Sequence, residues 1–277
     1  MHGKLTCVVN DIAGDNDRLL SEHGLSFWVE MDAGVVLFDT GKSEKVLSNN
    51  LSVLNLDPQR IRGVALSHAH RDHTGGLGFI LKNHPGMDIY SHPDIFTQRY
   101  SLKNGEYVRI GIPDEIEESL KKASLHMSSH PAQILPGLWT TGEITDRTER
   151  EGGSANHFTH EEVAWLPDRY RDDISLVLDL GDHLALICGC CHAGLLNTLF
   201  HVKKVFSKPV KLVMGGTHLL AAEKAYLEYI TEKLEEHFPS VQYYLNHCTG
   251  EVAVKFLAET FSSRASDFPA GASVILI

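Results

Sequence analysis

Between an apolar run ending at Leu66 and another beginning at Leu77, the chain carries Ser67-His68-Ala69-His70-Arg71-Asp72-His73-Thr74-Gly75-Gly76. Imidazole and carboxylate are the ligand types of zinc and related divalent ions. The HxHxDH spacing lets His68 and His70 point into one pocket while Asp72 and His73 supply a second ligand pair, so the block can seat two neighbouring metals. The bland alternative is a polar loop whose histidines only hydrogen-bond. Four donors at this spacing, followed by Gly75-Gly76, favour the metal site.

The block is one of four similar units, each an apolar strand, a short polar turn with histidine, and an amphipathic helix. They read 64–68 before 76–81, 186–192 before 195–200, 212–218 before 219–234, and 243–247 before 251–257, with His68, His192, His218 and His247 in the turns. Ligands in sheet-and-helix proteins gather beyond the carboxyl ends of strands, so these histidines are expected to converge on one edge. The expected metal ligands are His68, His70, Asp72, His73, His192 and His247. His218, with Thr217 beside it, is assigned to substrate, because backbone N–H groups at a helix start favour anions. Asp39 closes a strand as a turn former or as a carboxylate that orients a ligand histidine. Cys190, Cys191 and Asp173 are further possible ligands or supports, a small buried cysteine being the plain alternative for the thiols. His157 and His160 read as surface residues or parts of a flap.

Strands are predicted at 5–10, 25–31 and 35–38, the last two joined by Asp32-Ala33-Gly34 as a hairpin. A helix over 43–56 ends at Asp57-Pro58, and 61–66 reads as the buried strand that delivers His68. Another helix covers 113–123, and a second hairpin turns at Gly181-Asp182 between 174–180 and 183–188. Residues 140–167 lack periodicity and read as a long loop between two halves, approximately 1–140 and 141–277, of a single domain.

The chain has 277 residues, 43% hydrophobic and 22% charged, enough for a large core. Its formal net charge of −11 disfavours binding to phosphate backbones, so no nucleic-acid partner is expected. No apolar stretch is long enough to cross a bilayer, and Met1-His2-Gly3-Lys4 lacks a signal-peptide layout, which predicts a cytoplasmic protein with no membrane partner. Five cysteines, three of them crowded at 188–191, do not form a disulfide framework.

Asp39-Thr40-Gly41, the HxHxDH block and the late single histidines together resemble the metallo-β-lactamase superfamily over essentially the whole chain. The resemblance implies an α/β (α+β) fold: a four-layer αββα sandwich of two mixed sheets, with a dinuclear metal site at one edge. It places His68 and His70 on the first metal, and Asp72, His73 and His247 on the second. Glu22-His23-Gly24-Leu25-Ser26, Thr140-Thr141-Gly142-Glu143-Ile144, Gly189-Cys190-Cys191-His192 and His247-Cys248-Thr249-Gly250 are most similar to the 7,8-dihydropterin-6-yl-methyl-4-(β-D-ribofuranosyl)aminobenzene 5'-phosphate synthases. The usual Gly-His-Thr turn is replaced by Arg171-Asp172-Asp173, so His192 stands in as third ligand of the first metal, and Cys190 occupies the place of a bridging aspartate.

The activity these features imply is metal-assisted hydrolysis of a phosphoester or similar ester of a small anionic molecule, nucleotide-like or pterin-like. Two divalent ions are expected, zinc first, with manganese, iron or nickel as alternatives. Asp72 would orient water, and Glu143, Thr217 and His218 would hold substrate. A pterin or ribose-phosphate transferase on the same site is the second reading, and a non-catalytic metal or ligand sensor the third. A homo-oligomer stays open.

Overall fold

The computed structural model describes residues 3–161 and 163–277. It opens with strands β1 (Gly3–Val9), β2 (Ser26–Met31) and β3 (Gly34–Phe38). β2 and β3 pair from Phe27↔Phe38 to Met31↔Gly34 around a two-residue turn, and Gly34 takes a φ of 142° that a side chain would strain. Helix α1 (Glu44–Val53) starts on Ser43, whose hydroxyl accepts the Val46 N–H at 3.3 Å. β4 (Ile61–Ala65), α2 (Arg71–Thr74), α3 (Leu77–Asn83) and β5 (Asp88–Ser91) follow. The hairpin β6 (Arg99–Lys103) and β7 (Glu106–Arg109) precedes α4 (Asp114–Leu120) and β8 (Ser124–Met127). Then come β9 (Gln133–Leu135), β10 (Leu138–Thr140), β11 (His157–Glu161), β12 (Ala164–Pro167), β13 (Leu176–Asp179) and β14 (Leu184–Cys188). The chain closes with α5 (Leu195–Phe206), β15 (Val210–Gly215), α6 (Lys224–His237), β16 (Gln242–Leu245), α7 (Glu251–Phe261), β17 (Ala265–Asp267) and β18 (Ser273–Leu276).

Two mixed seven-stranded sheets, ordered β18-β1-β2-β3-β4-β5-β8 and β17-β16-β15-β14-β13-β10-β9, form the middle layers. Period-two alternation decides which face each residue serves. Phe27, Val29, Val36, Phe38 and Ala65 meet Leu176, Leu178, Ala185, Ile187 and Met214 between the sheets. Their neighbours Trp28, Val35, Leu37 and Val64 pack outward under α1, α3 and α4, while Leu184, Leu186 and Val213 pack under α5, α6 and α7. Each fully buried residue of this size contributes about 1.5–3 kcal/mol. The result is the expected αββα sandwich.

The structure differs from the expectations in two places that matter for the site. The segment 140–167 is not simply a loop: β11 and β12 form a hairpin that pairs with β6, giving a third sheet ordered β12-β11-β6-β7. Its partners lie more than fifty residues upstream, and a non-local edge pairing leaves little periodic signal. The helix expected to follow His218 directly begins only at Lys224, so His218 lies in a loop.

Candidate metal centre

β3 and β4 run parallel, as do β14, β15 and β16, and their carboxyl ends open on one edge of the sandwich. Asp39 follows β3, Ser67 and His68 follow β4, Cys190 to His192 follow β14, His218 follows β15 and His247 follows β16. Four non-glycine residues there hold left-handed backbone: Asp39 (φ 58°), Cys191 (55°), His218 (51°) and His247 (49°). Such strain costs on the order of 1 kcal/mol or more each and collects where side-chain aim matters more than local comfort.

Six of the expected donors meet as two sets. The ligand atoms of His68, His70 and His192 lie within 4.8 Å of one another, and those of Asp72, His73 and His247 do likewise. His68 Nε2 faces His192 Nε2 at 3.2 Å, and His73 Nε2 faces His247 Nε2 at 3.2 Å. The proton positions follow from the partners on the far side of each ring. Asp39 accepts from Ser67 N at 2.7 Å through Oδ1, and from Ser67 Oγ and His73 Nδ1 through Oδ2, both at 2.7 Å. Ser67 Oγ, having donated to Asp39, accepts from His68 Nδ1 at 2.8 Å. Asp11 Oδ1 accepts from His247 Nδ1 at 2.6 Å. With Nδ1 engaged as donor, the Nε2 atoms of His68, His73 and His247 present lone pairs inward. Two lone pairs at 3.2 Å, as in His73 and His247, call for a cation between them. His70 Nε2 is likewise buried without a partner. The residues therefore fit divalent metal.

Electrostatics agree. Burial, with neighbouring imidazoles, pushes His68, His70 and His192 far below the usual histidine range, so they are neutral donors. Burial also lowers His247, against Asp11. In His73 burial is overruled by the Asp39 and Asp72 carboxylates, which raise the imidazole to about 9, so the cation between His73 Nε2 and His247 Nε2 is a proton wherever no metal ion displaces it, and a metal must displace that proton to bind. Burial works against the Asp72 carboxylate too, yet His73 and His247 bring it down to about 2, so it is ionised.

Sulfur approaches the second set. Cys190 Sγ lies 3.2 Å from His73 Nε2, and Cys248 Sγ joins Cys190 and His247 within 4.8 Å. Asp39 supports ligands as described, and Asp173 does so by another route: its Oδ2 accepts the Ala193 N–H at 2.8 Å, fixing the turn that carries His192.

The expected substrate contacts fare differently. His218 is near the cluster, its ring 4.5 Å from that of His192, and burial lowers it to about 4. Its N–H is spent on Cys248 Sγ at 3.3 Å, and the Thr217 N–H and hydroxyl on Thr249 Oγ1, so no anion-binding N–H pair is left here. The carboxylate of Glu143 is held by Arg171 at 3.0 Å and lies 3.4 Å from His92, away from the cavity over the histidines.

Several contributors carry no motif. Arg99 is fully buried and reaches Asp172 Oδ1 at 2.7 Å and Asp168 Oδ2 at 3.0 Å. Asp172 Oδ2 in turn accepts the N–H of Ala69, the residue between His68 and His70, at 2.8 Å. Tyr170 stacks on His192 with centroids 4.2 Å apart, and its hydroxyl meets His157 Nδ1 at 2.9 Å. The β11 pairing thus makes His157 a wall of the site. His23 bridges Asp11 at 2.8 Å and Asp72 at 3.3 Å. Of these, His23, Asp172 and Cys248 stand in stretches that carry the family resemblance and His157 in the segment read as a flap, whereas Arg99, Asp168 and Tyr170 have no signal in their position.

A cavity of about 480 Å³ lies over the cluster, bordered by His70, Asp72, His192 and His247, with Lys42, Arg71 and Lys103 on its walls. None of these three cations is in an ion pair among the described residues. Residues 22–190 match the model of the metallo-beta-lactamase superfamily. The chain belongs to that superfamily.

The chain is 29% identical to the 7,8-dihydropterin-6-methyl-4-(beta-D-ribofuranosyl)-aminobenzene-5'-phosphate synthase of Methanocaldococcus jannaschii, over 97% of this chain and 95% of that one. It superposes at a TM-score of 0.83 and 27% identity on the crystal structure of Tm1679, described as a metal-dependent hydrolase of the beta-lactamase superfamily, covering 98% of each chain. The metallo-beta-lactamase fold protein YhfI from Bacillus subtilis shares the fold at a TM-score of 0.60 and 14% identity, covering 98% of this chain and 99% of that one. Among the described residues, no helix is long and apolar enough to cross a membrane.

Proposed function

We propose that this protein is a metal-dependent hydrolase acting on a phosphoester or similar ester of a small anionic molecule. The supporting observation is the inward-facing His73 and His247 nitrogens, 3.2 Å apart, beside a cavity lined by His247 and bearing the cations Lys42, Arg71 and Lys103, which have no ion pair among the described residues. Two divalent ions, zinc first, would bring a water toward neutrality in pKa and polarise the ester. The chain's own residues do the rest. Ionised Asp72, with Oδ2 3.5 Å from His247 Nε2 and 3.7 Å from His73 Nε2, accepts a hydrogen bond from the attacking water and orients it. His218, neutral at physiological pH, offers a ring nitrogen to the substrate, and the cations draw in the anion.

The test is hydrolysis of bis(p-nitrophenyl) phosphate by chain stripped of metal and reloaded with zinc or manganese, in oxygen-labelled water. The expected result is metal-dependent turnover with solvent oxygen in the product, and His68→Ala losing metal and turnover together. A metal-free His68→Ala protein with full activity would refute it. A synthase reaction on the same site is the second reading, favoured by the name of the Methanocaldococcus relative. Product lacking solvent oxygen supports it.

A further inference from the structure

Behind the wall formed by His23 and His247 lies a second cavity of about 630 Å³. It meets the cavity over the histidines at four shared residues: His23, Leu220, His247 and Cys248. The two ring centroids of His23 and His247 stand 4.9 Å apart, and the His23 side chain is 57% exposed, so this partition is thin and its outer half faces solvent. The second cavity differs in chemistry from the first. Leu245, Val254, Ala258, Phe268 and Pro269 give it an apolar lining. Ile12 and Leu220 stand at it with 56% and 66% of their surface in water, an unusual exposure for large aliphatic side chains in one place. Its polar border is mainly acidic, Asp11, Glu251 and Asp267 against Lys255.

We propose that this second cavity is a binding subsite for an uncharged aromatic arm of the anionic ester whose reacting end lies among Lys42, Arg71 and Lys103. The proposal rests on the hydrolase reading of the first cavity and adds the class of substrate: a molecule anionic at one end and flat, apolar and uncharged at the other. Three observations converge on it. The two cavities adjoin along His23, Leu220, His247 and Cys248, and the exposed His23 ring forms the outer edge between them, so one ligand lying across that edge reaches into both. Their volumes each suit part of a small molecule, and a phosphate alone leaves the larger one unfilled. The cationic walls of one and the acidic border of the other fix the direction in which an anionic ester lies, because reversing it sets the anion beside Asp11, Glu251 and Asp267.

The test compares binding of naphthyl phosphate and methyl phosphate to the metal-loaded chain by calorimetry, in wild type and in Ala258→Trp, which fills the second cavity. The expected result is naphthyl phosphate binding about tenfold or more tightly than methyl phosphate, with that advantage lost in Ala258→Trp and methyl phosphate unaffected. Equal binding of the two phosphates to wild type overturns the subsite, as does an advantage that survives in a folded Ala258→Trp. If that variant does not fold, Val254→Phe carries the same comparison. The same comparison with naphthyl phosphonate and methyl phosphonate, which carry no ester bond to cleave, reads binding without turnover, so a failure of hydrolysis with the naphthyl advantage intact refutes the reaction and leaves the subsite standing.

Discussion

Replacing Arg99 with methionine isolates the most demanding support of the metal centre. Arg99 is fully buried against Asp172 at 2.7 Å and Asp168 at 3.0 Å. Methionine keeps much of the volume and removes the charge, leaving two carboxylates in the interior without a counterion. Breaking a buried pair this way costs about 3–5 kcal/mol. For a chain of this size that lowers the melting temperature on the order of 10 °C. The loss must depend on pH in a defined sense. Burial already pushes the Asp172 carboxyl up to about 7 against the pull of Arg99. A carboxyl with a raised folded pKa binds more protons folded than unfolded between its two pKa values, so stability falls as pH rises through that window, on the order of 1 kcal/mol per unit. Without Arg99 the folded pKa climbs further and the window widens upward. Urea unfolding of metal-free wild type and Arg99→Met should therefore show a larger difference at pH 8 than at pH 5. The variant should also bind metal more weakly, because Asp172 holds the N–H of Ala69 between His68 and His70. Equal losses at both pH values, or a loss under about 1 kcal/mol, would show that the triad does not hold the loop as described.

Asp11→Ala removes the acceptor of His247 Nδ1, and chelator competition should show about 10- to 100-fold weaker binding at one of two metal positions, the other unchanged. In Gly76→Ala the new Cβ would stand 2.1 Å from the Thr40 carbonyl oxygen, a backbone atom with no room to move; urea unfolding should show a loss of about 1–3 kcal/mol. Lys103→Gln should raise KM for an anionic ester several-fold at low salt with kcat nearly kept, and the difference should shrink as salt is added.

Much of this protein is legible in the sequence because its signals are local. Period-two alternation in 25–38 and 184–188 marks strands whose two faces meet different layers, and Ser43 marks the start of α1. HxHxDH, packed into one turn, announces its chemistry whatever surrounds it, and His192 and His247 were found because they recur at strand ends. Tertiary structure alone decided the rest. That His73 and His247, 174 residues apart, face each other at 3.2 Å depends on two sheets placing their strand ends on one edge. The N–H groups near His218 looked free for an anion in the sequence, and folding spent them on Cys248 and Thr249. Glu143 was drawn away by Arg171, while Asp11, His23, Arg99 and Tyr170 were drawn in, because a charge or ring finds its partner by distance in space. The sequence set the donors and the layers, since ligand type and periodicity are properties of neighbouring residues. The pairing of each donor, its proton and the walls of its cavity required the closed sandwich, since burial and hydrogen bonding are properties of the whole.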